Sequence, residues 1–348
     1  MFPCSITYQA TNRFSLLDQF TCGTVIVASS SHHFAGDLQS YLDFLDAWAT
    51  IVRNETAFDQ SKLPKTFEHQ PEHFFDDVKP NAPPTEIPRG FVVLPSPPRN
   101  PPPLPEAAVT IWQFPADIVE QLKRTCSPPK ESGEWISTGD VMSGILFGAI
   151  TRAREAMNYP RNPLLGRSSA ESGTESLTMA ADGRERSPNQ CMTDGAYFGN
   201  FQVISAVTVP RATLTSTSLE NLATVALAIR TNLHQQMNPE SIKAKLGFFN
   251  NPDYAKPPGR ILLSADVSMS SWCKFNLKGP QFSFGEMLGG KPYKTTHGGG
   301  VLQPGAGVLI KDYDTGTITM LLSVEAECQG IIKKDVVLNE YAKLVDTY

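Results

Sequence analysis

The chain has 348 residues, 41% apolar and 19% charged, with a formal net charge of −5. That is enough apolar material for one large core or two smaller ones, and the acidic balance argues against a function built on nucleic-acid binding. The six cysteines (Cys4, Cys22, Cys126, Cys191, Cys273 and Cys328) form no CxxC pair, which argues against a disulfide framework or zinc knuckle and for reduced, mostly buried thiols.

The first residues, MFPCSITYQATNRF, lack the basic start and apolar run of a secretory signal, and no stretch approaches about 18 apolar residues. The expectation is a soluble, cytoplasmic protein without a membrane span. The triplet Asn54-Glu55-Thr56 has the form of a glycosylation site, but it carries little weight without secretion.

In chain order, residues 24–29 (TVIVAS) read as a buried strand. From Leu38 the period changes, and Leu38, Tyr41, Leu42, Leu45, Trp48 and Val52 fall on one helical face, with Asp37 where a cap would sit. Prolines crowd residues 80–105 and exclude regular helix or central strand, so 59–109 reads as an extended crossover. AVTIWQF then predicts a strand, and PADIVEQLKR a helix opened by Pro115. STGDVMSGILFGAITRAREAMNY predicts a longer helix capped by Ser137 or Thr138.

Residues 161–195 are polar and read as a surface excursion. FQVISAVTVP predicts a strand and SLENLATVALAIRTNLHQQM an amphipathic helix. RILLSADVSM, AGVLIKDY and TITMLLSV predict further strands, with a hairpin turn between Asp314 and Gly316, and CQGIIKKDVVLNEYAKL predicts a closing helix. Strands alternating with long helices imply an α/β protein. Before the proline-rich stretch, however, the pattern supplies only one confident strand and one helix.

The chemistry centres on His33 and Asp37, an HxxxD unit at the end of the first strand. Imidazole is the side chain whose ordinary pKa lies nearest neutrality. A neutral ring can take an alcohol's proton as the oxygen attacks an activated carbonyl, which avoids a free alkoxide. Asp37 either orients that ring or is structural, capping the helix and forming an ion pair; spacing alone leaves both open. His32 is expected on the opposite side of the strand. No second cluster completes a metal site with His32, His33 and Asp37, and no GxGxxG, Walker or GxSxG motif occurs. His69, His73, His234 and His297 are uninformative.

Several segments together resemble the BAHD-type, acyl-CoA-dependent acyltransferases, in particular their fungal, trichothecene acetyltransferase-like branch. HFAGD at 33–37 is similar to the family's HxxxD motif, and WISTGDVMSGILFGAITRAR resembles its second-lobe opening helix. ADGRER at 181–186 and YFGN at 197–200 resemble paired landmarks, and SMSSW at 268–272 the strand leading to the second signature. SFGEMLGGKP at 283–292 resembles a variant of that signature, with Ser283 where the family has Asp; Phe284 and Gly285 remain, and Gly289 serves turn geometry.

The resemblance implies a two-lobe, chloramphenicol-acetyltransferase-like fold. It also implies His33 as general base, Asp37 as a structural residue paired with Arg184 or Arg186, and Ser270 with Trp272 as candidate oxyanion donors. The implied reaction is O-acyl transfer to a small secondary-metabolite alcohol. Acyl-CoA is the co-substrate, acetyl-CoA the expected donor, no cofactor is permanently bound, and the protein is expected to be a monomer. Because the motif histidine comes at residue 33, the first lobe is expected to be incomplete. Residues 1–58 would be its remnant, 59–109 the crossover and 110–348 the second lobe. A non-catalytic pseudo-enzyme or CoA-binding remnant is the competing class.

Overall fold

The computed structural model describes residues 6–10, 13–19, 21, 25–31, 33–53, 74–75, 78, 87–97, 105–159, 173–187, 197–256, 259–279, 282–283, 289–290 and 302–347, with 6–19, 282–283 and 289–290 described by backbone alone. The chain forms β1 (Ile6–Ala10), β2 (Arg13–Gln19) and β3 (Val25–Ser31), an antiparallel meander. Periodicity marks only the third of these, because β1 and β2 mix polar with apolar residues. A single 3-10 turn, His33–Ala35, leads into α1 (Leu38–Val52). The apolar face expected on α1 is half-buried, and its fully buried positions are Ser40 and Ala49.

After β4 (Phe91–Val93) come β5 (Ala107–Phe114), α2 (Ala116–Cys126), α3 (Thr138–Ala156), β6 (Thr174–Asp182), β7 (Gln202–Pro210), α4 (Arg211–Thr215) and α5 (Leu219–Gln236). There follow α6 (Pro239–Asn250), α7 (Pro252–Ala255), β8 (Ile261–Leu263), β9 (Val267–Ser271), β10 (Phe282–Ser283), β11 (Gly289–Gly290), β12 (Ala306–Lys311) and β13 (Ile318–Glu325). The last elements are α8 (Gln329–Ile332), α9 (Val336–Tyr341) and β14 (Lys343–Thr347).

These elements group into two compact units, each discontinuous in sequence. One holds Met1–Asp76, Ser187–Gln202 and Phe275–Gly300; the other holds Asp77–Arg186, Val203–Lys274 and Val301–Tyr348. The first contains the meander, α1 and a buried aromatic cluster in which Phe74 packs on Tyr197 and Phe201 at 5.1 and 4.7 Å between ring centroids. It also contains the two-residue pairing of β10 with β11.

The second unit is built on a mixed seven-stranded sheet, ordered β14-β5-β13-β12-β9-β6-β7, in which β9 runs parallel to both its neighbours. The core lies between this sheet and its helices. α3 is buried along most of its length, its apolar residues from Val141 to Ile150 interrupted only by small residues such as Ser143. At Gly307 on β12 an added Cβ would meet Leu146 Cδ1 at 2.1 Å, so the missing side chain is what lets α3 lie so close to the sheet. The N-terminus of α3 carries the expected cap. Ser137 Oγ accepts the Asp140 N–H, and Asp140 Oδ2 accepts the Ser137 N–H at 2.6 Å. The β12–β13 hairpin turns through Gly316 at φ +72°, between the expected strands.

Two expectations are corrected. The polar stretch 161–195 is not all surface excursion, because residues 174–182 form β6, inside the sheet. Two of its polar residues are partnered across the fold: Glu175 pairs with Arg211 at 2.7 Å, and Ser176 donates through N and Oγ to Asp266 Oδ2, each at 2.8 Å. Composition concealed a strand whose Glu175 and Ser176 find their partners only in the fold. The closing helix is instead two short helices and a strand. Asp335 stops the first and caps the second through the Leu338 N–H, held by Arg152 in a two-pronged ion pair. β14 then pairs with β5.

β7 is an edge strand, and side chains meet its outer hydrogen-bonding groups. Gln236 accepts the Ala206 N–H at 3.0 Å and donates to the Ala206 carbonyl at 2.6 Å. Lys245 is only 6% exposed, and its ammonium donates to the Ile204 carbonyl at 2.7 Å and the Gln236 carbonyl at 3.1 Å. Burial pushes Lys245 down from its ordinary 10.5 to about 8. Between those values the unfolded chain binds more protons than the folded chain. Stability therefore rises with pH across the window, while below it the buried charge is a constant cost. Urea unfolding of the wild type and Lys245→Met should show the wild type gaining relative stability from pH 8 to 10.5. A pH-independent difference would mean an unperturbed lysine.

Candidate active site

The HxxxD segment is held in shape from both sides. β3 delivers the chain to the 3-10 turn, where His33 and Phe34 are exposed, Phe34 by 79%. A Cβ at Gly36 would lie 3.0 Å from Ser40 Cβ, so glycine allows the turn to close tightly on the first turn of α1. Asp37 is buried with extended backbone. Its Oδ1 accepts the Ser40 N–H at 3.2 Å and caps α1, and its Oδ2 accepts the Phe201 N–H at 2.8 Å. Ser40 is fully buried; its hydroxyl donates to the Gly199 carbonyl at 3.0 Å and accepts the Gly199 N–H at 2.9 Å. The segment 199–201 thus straps the turn, and the burial of Phe201 anchors the strap.

In the other compact unit, alternation along β9 turns Val267 and Met269 into the core and places Ser268 and Ser270 on the opposite face. Ser270 lies in register with Ala180 of β6 and Val308 of β12. The Trp272 indole N–H donates to Ser270 Oγ at 3.0 Å. An indole has one N–H, so Trp272 spends its donor on Ser270, and Ser270 keeps its own hydroxyl hydrogen to donate.

The ADGRER landmark closes on itself at the end of β6. Arg184 Nη1 pairs with Asp182 Oδ1 at 3.2 Å, Lys274 with Asp182 Oδ2 at 3.2 Å, and Arg186 donates to the Asp182 carbonyl at 2.8 Å. Burial alone would raise the Asp182 carboxyl, but the charges of Arg184 and Lys274 outweigh it and hold the group below its ordinary value. Arg184 thus pairs with Asp182, and Asp37 accepts from the backbone amides of Ser40 and Phe201.

His33 and Asp37 are brought together in one compact unit, and Ser270 and Trp272 in the other. Among the described residues no three His, Cys, Asp or Glu side chains are grouped as metal ligands, and no helix is long and apolar enough to cross a membrane. His234 is exposed in the last turn of α5. His32, His69, His73, His297, Phe284 and Gly285 lie outside the described residues. Ser283 pairs with Gly289 through the backbone. Reading the sequence missed Ser40, Gly199 and Phe201 as partners of the motif. The signals were a serine three residues beyond the cap and the YFGN landmark, but no local rule joins segments about 160 positions apart.

Asp37→Ala removes a helix cap and a charge-assisted bond to a buried amide, and should cost about 2–4 kcal/mol of stability in urea unfolding. A loss under 0.5 kcal/mol would show that the strap holds without the carboxylate.

The profile of the transferase family matches residues 16–327. Acyltransferase uat1 of Mycosarcoma maydis is 25% identical over 320 residues, covering 80% of this chain and 57% of that protein. The chain therefore spans less than two thirds of the curated relative it matches. The fold is similar to that of F. sporotrichioides TRI101, solved with coenzyme A and T-2, at a TM-score of 0.65 and 20% identity, covering 92% of this chain and 68% of that one. It is also similar to that of vinorine synthase, at 0.59 and 16%, covering 94% and 65%. With nine-tenths of its length matched by the profile, the chain belongs to this transferase family, the BAHD-type acyl-CoA-dependent acyltransferases.

Proposed function

We propose that the protein transfers an acyl group from acyl-CoA to a hydroxyl of a small molecule, with His33 as general base. The observation that carries this reading is an exposed imidazole on a turn whose backbone is fixed by the buried carboxylate of Asp37. The imidazole accepts the acceptor's O–H proton while that oxygen attacks the thioester carbonyl. Ser270 donates its hydroxyl hydrogen to the oxyanion that forms, its oxygen steadied by Trp272. Trp272 acts in this reading through Ser270, not as a direct donor. Collapse of the intermediate expels the CoA thiolate, and His33 returns the proton to sulfur. No covalent acyl-enzyme is needed.

The TRI101 structures hold coenzyme A together with T-2 or with deoxynivalenol, which supports a CoA donor and a small acceptor here. Acetyl-CoA as donor, a secondary-metabolite alcohol as acceptor, a two-lobe chloramphenicol-acetyltransferase-like architecture, a cytoplasmic location and a monomeric state belong to the same proposal.

The test is release of free thiol from acetyl-CoA in the presence of candidate alcohols. His33→Ala should lower kcat/KM by about 10²–10⁴-fold, and unchanged transfer would remove His33 from the mechanism. A folded chain that binds CoA but releases no thiol would replace transfer by CoA binding alone. Ser270→Ala should lower kcat by about 10²-fold with little change in KM, and Trp272→Phe by less. Equal kcat in Ser270→Ala and wild type would move the oxyanion donor elsewhere.

A further inference from the structure

We infer that Asn200 is the positioning residue of this site, holding His33 in place through the backbone. The proposal rests on the acyl-transfer reading only for its kinetic consequence. The bonds from Asp37 and Ser40 to the strap fix the far end of the HxxxD segment. Asn200 fixes the near end: its Nδ2 donates to the carbonyl of His33 at 2.9 Å and to that of Phe34 at 3.4 Å. A side-chain amide has two hydrogens, and here they are aimed at two successive carbonyls of the exposed turn that carries the imidazole.

Asn200 is itself immobilised. Its carbonyl accepts the Tyr197 hydroxyl at 3.2 Å, and its neighbours Gly199 and Phe201 are bonded to Ser40 and Asp37. Its Oδ1 is buried with no hydrogen-bond partner among the described residues. Burying an unsatisfied acceptor is unfavourable, so what the amide contributes here comes from its donors. The turn is only three residues long and exposed, with too little burial of its own to fix a side chain. Freed from Asn200, it would lose orientation of the ring before the fold was lost.

The experiment uses the full chain with three substitutions. Asn200→Asp keeps the size but replaces the donor with an oxygen that repels both carbonyls, and Asn200→Gln restores an amide one methylene longer. His33→Ala identifies the His33 ring signal in NMR spectra of histidine-labelled protein. We expect Asn200→Asp to lower kcat about 10–100-fold, the size of effect an ångström-scale misplacement produces. KM for acetyl-CoA should stay within about twofold and the melting temperature should be little changed. The His33 ring signal should move while that of His234 stays, and Asn200→Gln should recover part of both effects.

An unchanged His33 signal and kcat in Asn200→Asp would overturn the proposal. So would a loss of activity that merely follows a lower melting temperature with all histidine signals disturbed. If the wild type transfers no acyl group, the acyl-transfer reading fails by itself, and the His33 signal still decides whether Asn200 positions the ring.

Discussion

The Asp37 carboxylate joins two stretches of chain that the sequence keeps far apart. One oxygen takes the N–H of Ser40, three residues on, and the other takes that of Phe201, 164 residues on. The first bond satisfies an orphan donor at the start of α1, where the helix dipole also favours negative charge. The second fastens the strap. Both are charge-assisted bonds in a buried setting, where such bonds are stronger than neutral ones. Gly36 supplies the close approach and Ser40 the reciprocal bonding to Gly199. Asp37 is thereby tied into helix and strap, and in the proposed mechanism it serves by fixing where the exposed turn ends.

The seven-stranded unit uses buried charge in a different way. Arg154 grips Glu325 at 2.8 Å and the Asp266 carbonyl at 2.6 Å, joining α3 to the end of β13 and the approach to β9. Arg152 joins the same helix to Asp335 between α8 and α9. Arg230 closes on Asp140 at the other end of α3 and stacks over Trp135 at 4.1 Å. Buried pairs add little net stability, because desolvation offsets their attraction, but breaking one leaves a stranded charge. Here each pair ties α3 to a different element. The apolar contacts of Leu146, Phe147 and Ile150 would tolerate some sliding of the helix; the three arginines do not.

How much of this was legible follows the range of the interactions. The Asp37 cap, the Ser137–Asp140 capping box and the hairpin at Gly316 each depend on residues within a few positions of one another, and each could be read. The α/β class followed from periodicity. β6 could not be read, because Glu175 and Ser176 look like surface residues until Arg211 and Asp266 are brought beside them. The C-terminal helices looked continuous because the partner that fixes Asp335 as a cap, Arg152, lies 183 residues away. At the candidate site, His33 and Asp37 were visible from their spacing, and Ser270 and Trp272 from a resemblance. The strap was visible only as a landmark without a role, since its work is done by backbone groups, which no sequence pattern displays.

The amide of Gln236 occupies the Ala206 N–H and carbonyl on the open side of β7, and Lys245 takes the neighbouring Ile204 carbonyl. A foreign strand seeking to add there would find those positions already filled. The end of α5 and a lysine of α6 thereby act as a stopper for the sheet, limiting its growth at the seventh strand and discouraging fibre-like self-association along that margin.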